Sequence, residues 1–283
     1  MLNKLRSEYG CVPPGHFYSP IPSLEEIRRD EAKIFGKMTR HIPGIELHES
    51  MQLQLLEDFC SYYESMSLPS KKVEGLRFYL DNPMYSYSDA VFLHCMIRHL
   101  KPRRIIEIGS GFSSCVTLDT NELFFNDSIK TTFIEPYPDR LMSLIKEDDK
   151  NKMAIIPERL QDVDLKVFEA LEGNDILFID STHVSKINSD VNRLFFEILP
   201  ALASGVNLHF HDIFFPFEYP KEWIYGGSFW NEVYMLRSFL QYNNQFRIVL
   251  MNTLMTHFHE PFFREKMPLC LINTGGSIWI RKK

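Results

Sequence analysis

Two apolar runs in this chain end in paired acids and histidines. Asp175-Ile176-Leu177-Phe178-Ile179-Asp180 leads into Ser181-Thr182-His183, and Val206-Asn207-Leu208-His209-Phe210 leads into His211-Asp212. Those residue types suit two kinds of chemistry. An imidazole oriented by a carboxylate can take the proton of a nucleophile. Alternatively, carboxylate oxygens and an imidazole nitrogen can hold a divalent cation that lowers the pKa of a bound hydroxyl. A third run, Arg104-Ile105-Ile106-Glu107-Ile108, stops at Gly109-Ser110-Gly111-Phe112-Ser113-Ser114. Glycines there let the backbone approach a ligand, and the free N–H groups of a following helix face whatever lies above the turn. Glu107 could reach across that turn, and Ser113 or Ser114 suits a helix cap.

These groups must be positioned by a sheet. Four apolar residues bounded by acids, as at 176–179, suit a strand buried on both faces, which is the parallel α/β arrangement. Further strands are expected at 130–134, 153–156 and 246–251, with a last one at 276–281 that returns after a long connection to pair antiparallel with 246–251. Helices are expected at 88–100 (Ser88 as cap), 137–146, 190–199 and 230–242. Pro136 stops the second strand, so Glu135 sits at its carboxyl end, where an acid can accept hydrogen bonds from both hydroxyls of a ribose. Ligands of open α/β sheets bind outside the strand carboxyl ends. Glu135, the glycine turn, Asp180, His183, His211 and Asp212 should therefore meet at one edge, with Tyr85-Ser86-Tyr87-Ser88 overhanging it.

The glycine turn lacks the third glycine of a dinucleotide fold, since Ser114 stands there, and it has no lysine for a phosphate loop. Glu107-Ile108-Gly109-Ser110-Gly111 instead resembles motif I of the class I S-adenosylmethionine-dependent methyltransferases. The element order from Ile105 resembles their seven-stranded sheet. The resemblance implies a Rossmann-like α/β fold, mostly parallel with the last strand antiparallel, over residues 88–283. Residues 1–87 would form a strap and a helical cap. It further implies S-adenosyl-L-methionine as cofactor, with Glu107, Gly109, Ser110, Gly111, Ser113, Glu135 and Asp180 around it and Gln161 or Asp162 at the adenine. The activity implied is methyl transfer to a small-molecule acceptor, at a hydroxyl oxygen. Metal-dependent O-methyltransferases acting on catechols or macrolide sugars place acids at the ends of these two strands. By that resemblance Asp180, His211 and Asp212 would hold magnesium or a transition metal. Here His211-Asp212 replaces their Asp-Asp or Asp-Asn, and a metal-free site with His183 or His211 as base beside Asp212 stands as the other reading. Competing functions are another acceptor atom or sulfonium reaction, a non-catalytic binding protein that keeps the fold, and an NAD-dependent oxidoreductase.

Composition is that of a soluble globular chain: 283 residues, 45% hydrophobic, 24% charged, net charge −6. No basic stripe points to nucleic acid, and no apolar run approaches membrane-spanning length. Five scattered cysteines without a CxxC pair suit a reduced, cytoplasmic protein. Pro13-Pro14-Gly15, Pro20 and Pro22 make residues 1–23 a surface strap or a lid. Ser23 and Glu26 read as a capping box. Leu53, Leu56, Phe59 and Cys60 share a helical face that could cover the site or pair two copies as a homodimer. His209 is expected to be a satisfied core histidine. His257 and His259 form a weak His-x-His pair. Phe214, Phe215, Phe217, Tyr219 and Trp223 would either bury the cap or line a pocket for a sugar or aromatic acceptor.

Overall fold

The computed structural model describes residues 10–36 and 38–283. The apolar runs assemble into one seven-stranded sheet in the order β3-β2-β1-β4-β5-β7-β6. These are β1 (Arg104–Ile108), β2 (Lys130–Ile134), β3 (Met153–Ile156), β4 (Ile176–Ile179), β5 (Asn207–His211), β6 (Phe246–Met251) and β7 (Ser277–Lys282). The first five are parallel, and β7 inserts antiparallel between β5 and β6. Central strands β4 and β5 are buried along their whole length, as runs covered by helices on both faces must be. β6 and β7 are joined by a long connection carrying helices Asn252–Phe258 and Glu260–Lys266.

Local departures from the expected elements have physical causes. Gly111, not a serine, takes the cap position of helix Phe112–Phe125, and its N–H donates to Ser114 Oγ at 3.0 Å. Ser88 is the first residue of its helix and not the cap; Tyr87 precedes it with a positive φ of 42°, and the Ser88 Oγ is buried without a partner. The helix after β2 shortens to Asp139–Leu144, and the one expected at 230–242 spans Glu232–Leu240, with Asn231 at its cap position. Ser23 Oγ does accept from the Glu26 N–H, at 3.3 Å.

The N-terminal region is joined to the sheet by its core. Leu56 and Phe59 of helix Glu49–Glu64, with Phe78 and Leu80, belong to the same buried cluster as Ile106, Phe178 and Phe210. Arg77 anchors the segment that runs toward the strand ends. Its side chain is buried between Asp119 (2.7 Å) and Asp149 (Nε to Oδ2, 2.7 Å), with Glu122 at 2.8 Å. The backbone N–H groups of Arg77 and Phe78 donate to the Asp119 carboxylate as well. Of the expected strap, residues 1–9 lie outside the described residues. Phe17 and Tyr18 stand exposed, away from the cleft described next.

Candidate active site

A cleft of about 740 Å³ opens at the carboxyl ends of β1, β4 and β5. Ser110, Gly111 and Ser113 form one side of it, and Asp180, His183, His211 and Asp212 another. Met84, Tyr85 and Ser86 overhang it, while Trp223 and Trp230 close the far wall. Gly109 makes the juxtaposition possible. Its φ is +81°, and a Cβ there would lie 2.5 Å from the Asp180 carbonyl oxygen, so only glycine lets the end of β4 pack on the turn. The Ser110 Oγ is buried at the cleft side without a protein partner.

The acids and histidines interlock. His183 Nε2 lies 3.4 Å from both Asp180 Oδ1 and Asp212 Oδ2, and its Nδ1 lies 2.9 Å from Glu232 Oε2. His211 Nδ1 lies 3.4 Å from Asp180 Oδ1 and 3.6 Å from Asp212 Oδ1, with Nε2 3.7 Å from Asp89 Oδ2. Each imidazole is thus held between carboxylates on both of its nitrogens. His183 and Asp212 both adopt left-handed backbone conformations (φ 59° and 56°), which costs about 1–2 kcal/mol each. Surrounding contacts offset it: the His183 carbonyl accepts from the Asn231 and Glu232 N–H groups, and Asp190 binds both the N–H and the hydroxyl of Thr182.

Burial would strip the proton from His183, but hydrogen bonds to Asp180 and Glu232 outweigh it and hold its pKa at about 10. Burial opposes the proton on His211 as well, yet the charges of Asp212 and Asp180 outweigh it and raise that pKa too. Burial pushes Asp212 up to about 6 against the pull of His211 and His183. Asp180 goes the other way: despite burial, the charge of His211 and the hydrogen bond from His183 hold it well below the usual carboxylate range. Four carboxyl groups thus surround two imidazoles, and Arg140 lines the cleft against Gly111 of the glycine turn.

Other expected site residues are placed differently. Glu107 does not reach the cleft. It is fully buried beneath the turn, where Ser113 and Ser114 hydroxyls donate to its Oε1 at 2.6 and 2.8 Å and its Oε2 has no partner. Burial, against those two hydrogen bonds, raises it to about 8. Glu135 stands half-buried at the end of β2, its Oε1 accepting from the Tyr137 N–H, beside the exposed Tyr137 ring. Gln161 donates to the Asn188 carbonyl at 2.8 Å and Asp162 pairs with Arg159; neither lines the cleft. The expected metal set does not converge: among the described residues no three His, Cys, Asp or Glu side chains share a metal-holding geometry. The donor atoms of Asp180, His211 and Asp212 are instead turned toward one another and toward His183.

His209 is in the core, as expected, but it is not satisfied. Neither ring nitrogen has a partner, and the ring stacks on Phe178 at 4.1 Å. Of the His-x-His pair, His259 Nε2 lies 2.6 Å from Glu49 Oε1. Two members of the site were missed in the sequence, Asp89 and Glu232. Both sit on helices remote from the strand ends in sequence, at the first turn of Ser88–Leu100 and of Glu232–Leu240. Asp89 also binds the Asn252 amide and the Gly276 N–H, and Glu232 accepts from Ser181 Oγ. An acid in the first turn of a helix is a routine dipole partner, so nothing in its position flagged it.

Residues 106–213, from β1 to just past β5, match the family model described as a methyltransferase domain. An uncharacterized protein of Archaeoglobus fulgidus is 42% identical over 191 residues, covering 62% of this chain and 86% of that protein. Similar solved structures include the SAH-bound methyltransferase PaMTH1 of Podospora anserina, at 14% identity and TM-score 0.44, covering 92% of this chain and 97% of that one. Another is the O-methyltransferase TomG of Streptomyces achromogenes in complex with SAM, at 14% identity and TM-score 0.45, covering 91% and 96%. Residues 106–213 thus form a methyltransferase domain, set in the seven-stranded sheet described above.

Proposed function

We propose that the protein transfers the methyl group of S-adenosylmethionine to a hydroxyl oxygen of a small-molecule acceptor. One observation carries this reading: a single cleft holds both the glycine turn and the acid–imidazole cluster. The unpartnered Ser110 hydroxyl and the Gly111 backbone suit a ligand seated on the turn, and Glu135, at the end of the neighbouring strand β2 but outside the cleft lining, would take the ribose hydroxyls of a ligand reaching past the turn. The acids Asp180 and Asp212 at the strand ends suit a cationic sulfonium nearby better than a phosphate. S-adenosylmethionine supplies the electrophilic methyl group when bound.

The chain's own residues then position the acceptor and take its proton. With both imidazoles held protonated, the available proton acceptor is the Asp212 carboxylate, which is ionised above about pH 6. His183 and His211 act as fixed cations that orient Asp212 and stabilise negative charge growing on the acceptor oxygen, while Asp89 and Glu232 hold those two rings.

The test is Asp212→Asn, assayed by release of S-adenosylhomocysteine from a panel of phenols, catechols and sugars. Turnover should fall at least about 100-fold, the usual value of a general base, with affinity for S-adenosylhomocysteine kept within about twofold. Unchanged turnover would remove Asp212 from the mechanism. Treating the wild type with a chelator should leave turnover unchanged; loss restored by magnesium or zinc would favour metal at Asp180, His211 and Asp212.

A further inference from the structure

A second cavity, of about 570 Å³, lies beside the cleft, and Phe214, Pro220 and Thr274 line both. The Phe214 ring is the partition between the two. It is seated on Gly276, where any Cβ would come within 2.3 Å of the ring, and it packs edge-on against Trp223 at 5.1 Å. Gly276 is also the residue whose N–H donates to Asp89. The partition therefore stands directly on the backbone that supports His211.

The inner wall of this cavity is Phe215, Pro216 and helix Asn252–Phe258, and its roof is Ile34, Phe35 and Met38. The roof comes from an N-terminal element that contributes no buried side chain to the core. It is latched to the aromatic loop by Glu31, which binds Lys221 Nζ and the Tyr225 hydroxyl at 2.7 Å each. That latch also neutralises Lys221, the one lysine or arginine among the described lining residues. Ile34 and Met38, though large and apolar, remain 37% and 45% exposed. The chamber is thus apolar on its Phe215–Pro216 wall and in its roof, carries Thr253, Thr256 and His257 on its helix side, has its acids Glu218 and Glu260 engaged by Tyr234 and Arg264, and adjoins the cleft across the Phe214 ring.

We propose that this chamber is the acceptor's second subsite and that it takes an uncharged apolar extension, aromatic or aliphatic, of an acceptor whose reacting hydroxyl lies at Asp212. The acceptor is then an elongated molecule with its hydroxyl at one end. This rests on the methyltransferase reading for the role of the first chamber, but filling of the second can be measured without any turnover.

The test is calorimetric titration of the whole protein with catechol and its 4-methyl, 4-ethyl, 4-propyl and 4-butyl derivatives, in saturating S-adenosylhomocysteine. In the wild type each added carbon should tighten binding about three- to fourfold, as expected for burying one methylene. Thr256→Trp fills the chamber and Ile34→Glu sets a charge in its roof at a partly exposed position where folding is not at stake. Both should abolish the increment while catechol itself binds as in the wild type. An increment absent from the wild type, an increment retained in both variants, or no binding by any member of the series would overturn the proposal. Release of S-adenosylhomocysteine from the same compounds, with S-adenosylmethionine supplied, reports the methyl transfer separately. An increment without transfer would sink the reaction and leave the chamber standing.

Discussion

At the scale of single residues, burial and pairing decide which groups can move a proton. Asp212 is raised to about 6 by burial, and its carboxylate must be free for a hydroxyl proton, so kcat/KM should rise as pH climbs through about 6 and level off above it. A pH profile whose rising limb sits near the ordinary carboxylate range would contradict this. Glu107 bears on stability instead. Its folded pKa, about 8, lies above the unfolded carboxyl value, so the folded state binds the proton more tightly. Its contribution to stability is complete below about pH 4.5 and is lost as pH rises through about 8. Glu107→Gln mimics the protonated form and should flatten the fall in denaturation midpoint between about pH 5 and about pH 9; an unaltered slope would show that Glu107 is ionised in the folded protein. At this scale the sequence was legible where chemistry coincided with a strand end, as at Asp180, His183, His211 and Asp212. It was not legible for Asp89 and Glu232, which reach the site only because two helices begin there. Nor did it show that Glu107 turns under the glycine loop to meet Ser113 and Ser114.

Among the elements, the strands were readable from their apolar runs, because a parallel strand covered on both faces favours apolar side chains, although β1 and β5 also bury Glu107, Asn207 and His209. The glycine turn was readable too, but its cap was not. Ser113 and Ser114 look like caps by type, yet both hydroxyls are drawn to the buried Glu107 and the backbone starts its helix from Gly111. Gln161 and Asp162 follow β3 as the resemblance suggested, but they are engaged by Asn188 and Arg159. The segment that overhangs the cleft depends on Arg77. Arg77→Met would leave Asp119 and Asp149 buried without their cation, at a cost of about 3–5 kcal/mol. A denaturant melt should show that loss, together with weaker S-adenosylhomocysteine binding as Met84 to Ser86 lose their anchor. A melt within about 1 kcal/mol of wild type would mean the carboxylates find other partners.

For the whole molecule, the sequence division at residue 88 marks where the methyltransferase-type pattern starts. We propose that it does not mark a folding unit. Leu56, Phe59, Phe78 and Leu80 lie in the sheet's own core, and the Arg77 cluster ties the N-terminal region to helix Phe112–Phe125. A chain of residues 88–283 should therefore fail to melt cooperatively by circular dichroism; a sharp transition would restore two independent units. This integration was illegible in the sequence because the apolar face of Glu49–Glu64 specifies only that something covers it, not what. The central claim, that the glycine turn seats a sulfonium cofactor beside the acid–imidazole cluster, is tested most directly by calorimetric titration of the wild type and of Glu135→Ala with S-adenosylhomocysteine, with NADH as the control. Micromolar binding to the wild type, weakened at least tenfold in Glu135→Ala and with no heat from NADH, is the expected result. Binding of NADH without binding of S-adenosylhomocysteine would contradict the claim and make the turn a dinucleotide site.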